Sequence, residues 1–87
     1  MSVKLTNEAM KAYVEKRHFV EKLSDLFREE DILNVKKMEY APVLAGEMEV
    51  ISEKVTVTFR NGFGTEIDVT ADSKLAILRD VLRRLSR

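Results

Sequence analysis

The sequence contains no cysteine and no tryptophan, one histidine, one proline and three glycines. Each scarcity excludes something. Without cysteine there is neither a disulfide framework nor a thiolate metal site. Three glycines do not suffice for either glycine-rich phosphate-binding motif. With only His18, a histidine base has no matching nucleophile and orienting group in view, and no serine sits in a nucleophile-elbow pattern. The longest uncharged apolar run, Ala41 to Gly46, is far too short to span a bilayer. The N-terminal residues lack the apolar core of a signal peptide. These absences predict a cytoplasmic protein that is not an enzyme, with no cofactor and no membrane partner.

What is present is ordinary globular material. The chain has 87 residues, 45% hydrophobic and 34% charged, with no formal net charge. That length predicts a single α+β domain over 1–87, and a chain of this size has little core to spare. The charge is unevenly placed. Residues 29–53 carry seven carboxylates against Lys36 and Lys37, a net of −5. Residues 71–87 carry Lys74, Arg79, Arg83, Arg84 and Arg87 against Asp72 and Asp80, a net of +3. Such a bipolar chain has the means to self-associate or to offer two faces to two partners.

Apolar residues from Ala9 to Phe27 recur with helical spacing, and neither proline nor glycine interrupts residues 1–41. The pattern predicts one long helix over 7–30, opened by Thr6 or Asn7. Ile32, Leu33, Val35, Met38 and Tyr40 then read as a strand whose phase changes at Lys36-Lys37, which predicts a bulge. Pro42 through Gly46 reads as a connection. Met48 and Val50 begin a second strand, and Val55, Val57 and Phe59 continue it on the opposite parity. A bulge or a turn near Ser52-Glu53-Lys54 would account for the change.

Asn61-Gly62-Phe63-Gly64 separates that strand from Ile67 and Val69. A two-residue Asn-Gly turn would place Ile67 and Val69 on the face opposite Val57. An odd-length loop, for example one with residue 60 opposite 64, restores a common face, and the glycines supply the positive φ it needs. Thr70 or Asp72 is the expected cap of a last helix, with Leu75, Ile77, Leu78, Val81, Leu82 and Leu85 as its apolar stripe and the arginines outside. The predicted fold is a long N-terminal helix, a three- to four-stranded antiparallel sheet and a C-terminal helix (α-β-β-β-α), both helices on one face.

Three features point to a protein-binding surface: the wide apolar face of the first helix, the apolar segment from Tyr40 to Ala45, and Phe63 at a hairpin tip between glycines. Tyr40, Val43, Leu44 and Phe63 are the candidate contact residues, with a homodimer through a sheet edge within Val55 to Val69 as one arrangement. The alternative is nucleic-acid binding by Arg79, Arg83, Arg84 and Arg87, since arginine clusters suit phosphate. The neutral charge of the whole weighs against it. The Glu29-Glu30-Asp31 run lacks a second ligand group, so no metal site is expected.

Residues 55–85, VTVTFRNGFGTEIDVTADSKLAILRDVLRRL, are similar in rhythm to the C-terminal part of small accessory proteins of insertion sequences. The N-terminal helix-turn-helix of those proteins has no counterpart here, so the likeness carries no function across. In size and scarcity of motifs the chain also resembles phage-encoded inhibitors such as anti-CRISPR proteins, which act by surface complementarity. That second likeness implies a small regulatory, inhibitor-like protein of a phage or mobile element, at the level of class only.

Overall fold

The computed structural model describes the backbone of residues 3–4, 7–45 and 49–86, with side chains for 10–31, 33–45 and 50–86. The expected caps and contacts at Thr6, Ala9, Ile32, Met48 and Arg87 fall outside these residues or side chains. The elements run in the order β1 (Val3–Lys4), α1 (Asn7–Arg28), a single 3-10 turn (Asp31–Leu33), β2 (Val35–Leu44), β3 (Glu49–Phe59), β4 (Gly64–Asp68) and α2 (Lys74–Leu85). This is the expected α+β order with a two-residue strand added before the first helix. No described helix is long and apolar enough to cross a membrane.

The 22 residues of α1 make a rod of about 33 Å at 1.5 Å per residue, in a molecule whose longest extent is 39 Å. Val20, Leu23 and Ser24 are buried against the sheet, and Tyr13, Phe19 and Phe27 pack beside them. The 3-10 turn ends at Asn34 with φ 54°, a left-handed conformation that asparagine accepts more readily than most residues. The chain then reverses into β2. Arg60 ties this corner to the β3–β4 hairpin: its guanidinium reaches Asp31 and the Arg28 carbonyl, and its N–H donates to the Asn34 carbonyl at 2.8 Å.

All pairings are antiparallel. β3 is the central strand, with β2 on one side and β1 and β4 on the other. The stretch from Val55 to Phe59 is therefore an interior strand, and only β4 from that segment lies at an edge. β2 pairs with β3 as Val35↔Phe59 and then Lys37↔Thr58, so the expected bulge occurs at Lys36-Lys37. A second shift, from Val43↔Ser52 to Leu44↔Val50, leaves Ile51 as the extra residue. β3 is thus bulged and continuous, which returns Val50 to the buried face despite its parity.

Two sequence expectations need correction. Pro42 belongs to β2, opposite Glu53, and is no connection. The helix α2 is capped by Ser73, whose hydroxyl accepts from the Ala76 N–H at 3.2 Å, and by neither Thr70 nor Asp72. An N-cap hydroxyl must lie close to the N–H groups two or three residues on, and here only Ser73 does.

The β3–β4 hairpin has 59 opposite 63 rather than 60 opposite 64. The Gly62 N–H donates to the Phe59 carbonyl at 3.0 Å and the Phe59 N–H to the Phe63 carbonyl at 2.7 Å. Gly62 has φ +92°, so this is a three-residue loop closed by a glycine bulge. The register Val55↔Ile67 and Val57↔Thr65 puts the apolar residues of both strands on one face, as parity required. Val35, Met38, Tyr40, Val55, Val57, Ile67, Val69, Ile77 and Val81 join Val20 and Leu23 in one core. Both helices cover that face. The other face carries Lys37, Glu39, Lys54, Thr56, Thr58 and Glu66, with ion pairs Lys37–Glu39 at 3.2 Å and Lys54–Glu66 at 3.9 Å.

Candidate interaction surfaces

The sequence placed Tyr40 on an exposed surface. The structure buries it at 5% exposure, because Tyr40 lies opposite Val55 on the core face. Its hydroxyl donates to Glu53 Oε1 at 2.7 Å. Glu53 is itself only 3% exposed. It accepts a second bond from Lys16 Nζ at 2.7 Å, also on Oε1, and a third from the Ala71 N–H at 2.8 Å on Oε2. Its backbone N–H donates to Thr70 Oγ1 at 3.0 Å, and its carbonyl accepts from the Val69 N–H at 2.9 Å.

Burial is the largest single influence on the Glu53 carboxyl and pushes its pKa up, but the donors from Lys16, Tyr40 and Ala71 outweigh it and hold the group below its ordinary value. Tyr40 is pushed well above the ordinary tyrosine value, first by burial and then by its bond to the Glu53 carboxylate. Tyr13 is raised by burial and by the charge of Glu53. The cluster ties α1, the sheet and the loop before α2 together, with Glu53 buried and Lys16 partly exposed. Glu53 was open to recognition from sequence, since it continues the odd positions of Val55, Val57 and Phe59 onto the buried face.

The remaining candidates lie apart. Val43 is 37% exposed and Leu44 50%. The bulge sets Ile51, at 47%, between their partners. Met10 and Val14, in the early turns of α1, are also exposed. Phe63 is 75% exposed at the other end of β3, beside the corner that Arg60 holds. Val43, Leu44 and Phe63 therefore do not form one surface with each other or with Tyr40.

The helix α2 differs most from expectation. Its six apolar residues do not form one stripe. Ile77 and Val81 are fully buried, and Leu78 and Leu85 pack partly against the core. Leu75 and Leu82 are 75% and 42% exposed. Leu75, Leu78 and Leu82 lie along one open flank of the helix together with Arg79, Arg83 and Ser86. The 3.6-residue turn places residues seven apart on nearly one line, so the spacing of 75 and 82 was a readable sign of a second apolar flank.

The arginines do not act as a single basic ridge. Arg79 Nε is 3.1 Å from Asp80 Oδ1. Arg84 donates to Thr65 Oγ1 of β4 at 3.2 Å. Arg83 lies within 4 Å of no carboxylate among the described residues, and Arg87 is outside them. Asp72 is raised to about 6, first by burial and then by Asp80, which the shared hydrogen bond lowers in turn. Asp72 Oδ2 is buried with no hydrogen-bond partner. His18 sits on the exposed side of α1 beside Glu15 and Lys22. Among the described residues no three histidine, aspartate or glutamate side chains converge as a metal site would require.

No protein-family model matches this chain, and comparisons with curated proteins and with solved structures found no match either.

Proposed function

We propose that this protein is a small, non-catalytic binding module that acts by occupying the surface of another protein. The observation that carries the reading is the solvent-exposed leucine flank of α2. A chain this small has little apolar surface to spare, yet two large leucines of a well-formed helix stand in water on a flank that also carries a half-buried third. Contiguous apolar surface rimmed by charge is the common form of a protein-binding site. The Glu53 cluster supports the non-catalytic part, because its carboxylate is buried and already bonded by Lys16, Tyr40 and Ala71. Inhibitor-like or regulatory action is the form that such occupancy takes in the phage proteins the chain resembles in size.

The test is site-specific photo-crosslinking in extracts of the source cells. A crosslinking residue at position 75 is expected to give one discrete protein adduct. The Leu82→Asp substitution should remove it, and the same residue at position 56 on the polar sheet face should not produce it. Equal adducts at both positions, or none at 75, would refute the reading. Nucleic-acid binding along the same helix is the second reading, favoured by the exposed Arg79 and Arg83 on this flank. Binding of random duplex DNA that weakens steeply with salt and disappears in Arg79→Gln/Arg83→Gln would establish it instead.

A further inference from the structure

The shape and charge of the α2 flank narrow the partner, on the premise that the protein-binding reading holds. We propose that Leu75, Leu78 and Leu82 form a docking strip for an acidic amphipathic helix of another protein. Leu75 and Leu82 are separated by two turns, about 10.5 Å along the axis. That is the repeat at which a partner helix presents residues i and i+7, so its apolar stripe can lie along this strip as one helix packs on another. Leu78 lies one turn from each and packs on the core cluster, so an anchor seated on it meets a backed, stiff surface.

Charge selects the partner's sign. The charged residues lining the strip are Arg79 and Arg83, and no carboxylate lines it. Asp80 partly offsets Arg79 from the side facing β4, where it lines a depression with Ile67, Asp68, Arg83 and Arg84. Arg83 makes no ion pair within 4 Å among the described residues, and Asp80 offsets its charge only from a distance, so the two arginines outweigh the single aspartate at this flank. Glutamates or aspartates flanking the partner's apolar stripe would pair with these arginines, in bidentate geometry that suits them. A second copy of this chain is a poor occupant of the same strip. An antiparallel two-fold pairing centred between Leu75 and Leu82 sets Arg79 against its own symmetry mate. Nucleic acid is a poor occupant too, because three leucines would find only phosphate and sugar.

Fluorescence anisotropy with two designed peptides tests the proposal on the intact protein. Both carry leucines at i, i+3 and i+7 over about five turns. One has glutamate at the flanking positions and the other lysine. The glutamate peptide is expected to bind saturably, about tenfold or more tighter than the lysine peptide, and to weaken with added salt. Leu75→Ser and Arg83→Gln should each reduce its affinity by about fivefold or more. Both side chains are exposed, so the circular dichroism and melting temperature of the variants should match the parent. Equal affinity for the two peptides, no binding of either, or indifference to both substitutions would overturn the proposal. Tighter binding of random duplex DNA than of the glutamate peptide would assign the flank to nucleic acid and overturn it as well. A protein crosslinked at position 75 alongside a failed peptide assay would leave the protein-binding reading intact and remove only the acidic helix. Loss of both results removes both.

Discussion

Glu53 is the charged residue that solvent reaches least among those described, and three donors from three separate parts of the chain converge on it. A carboxylate held this way is costly to disturb, since its loss leaves the Lys16 ammonium, 16% exposed, with no counter-charge. Breaking one side of a buried pair costs about 3–5 kcal/mol. The partial hydration of Lys16 puts the expected loss for Glu53→Gln at the low end, about 3 kcal/mol. Urea denaturation at neutral pH measures it, and a loss below about 1 kcal/mol, the worth of a single hydrogen bond, would contradict the account. The sign with pH follows from the depressed carboxyl. Its contribution is complete above the ordinary value of 4.5 and is lost as the pH falls through the lower folded-state value. Asp72 has the opposite sign. Its folded value near 6 lies above its ordinary 3.8, so it opposes folding increasingly between these two values as the pH rises. Asp72→Asn should therefore raise the melting temperature at pH 7 and leave it nearly unchanged at pH 3. An equal shift at both would show that the carboxyl pair is not the cause.

Among the elements, the β3–β4 hairpin was the most legible in the sequence. Two apolar sets of fixed parity and a single core allowed only an odd loop, and the structure has one. Gly62 bears the conformational cost of that loop. A Cβ there would meet nothing within 4 Å, but φ +92° is a conformation that other residues enter at a penalty of about 1–2 kcal/mol. Gly62→Ala is expected to destabilise by that amount without changing the register, which chemical denaturation and amide exchange at Phe59 would show. The bulge at Lys36-Lys37 was legible for the same reason, because Val35 and Met38 demand one face at odd spacing. The extent of β2 was not. Pro42 resembles a breaker in sequence, yet its missing N–H does no harm on the free side of an edge strand. Leu75 and Leu82 misled similarly: a helical wheel shows that they are near the buried stripe, but how far the sheet and α1 reach around α2 decides which leucines are covered.

For the whole molecule, the arrangement of edges bears on association. The Met38 N–H is not in the β2–β3 ladder but donates to Ser24 Oγ of α1 at 2.8 Å. Met38, Tyr40 and Pro42 therefore turn their backbone nitrogens to the free side of β2, by the alternation of an antiparallel strand. Of these three, one donor is taken by Ser24 and one is absent in proline. With the bulge and Lys36-Lys37 nearby, β2 carries several devices that blunt a sheet edge. Pairing of two copies through β2 is disfavoured for that reason. Pro42→Val restores a donor beside Tyr40 and is expected to increase self-association at high protein concentration, measured by sedimentation velocity. An unchanged sedimentation profile would mean that the proline is not what keeps this edge closed.

The sequence by itself determined the two helices, the β3–β4 hairpin, their order and the parity of the buried strand residues, because periodicity and parity are properties of neighbouring residues. It determined equally that one core had to serve both helices. Only the tertiary structure decided which polar and apolar side chains ended inside. Strand parity turns Tyr40 and Glu53 inward, but their polar groups are satisfied there only because Lys16 and Ala71 reach Glu53 from distant parts of the chain. Leu75 and Leu82 stayed out because the single sheet is covered before α2 has turned its whole apolar surface toward it. Local pattern shows which residues share a face, but how completely that face is covered depends on what arrives from elsewhere in the chain.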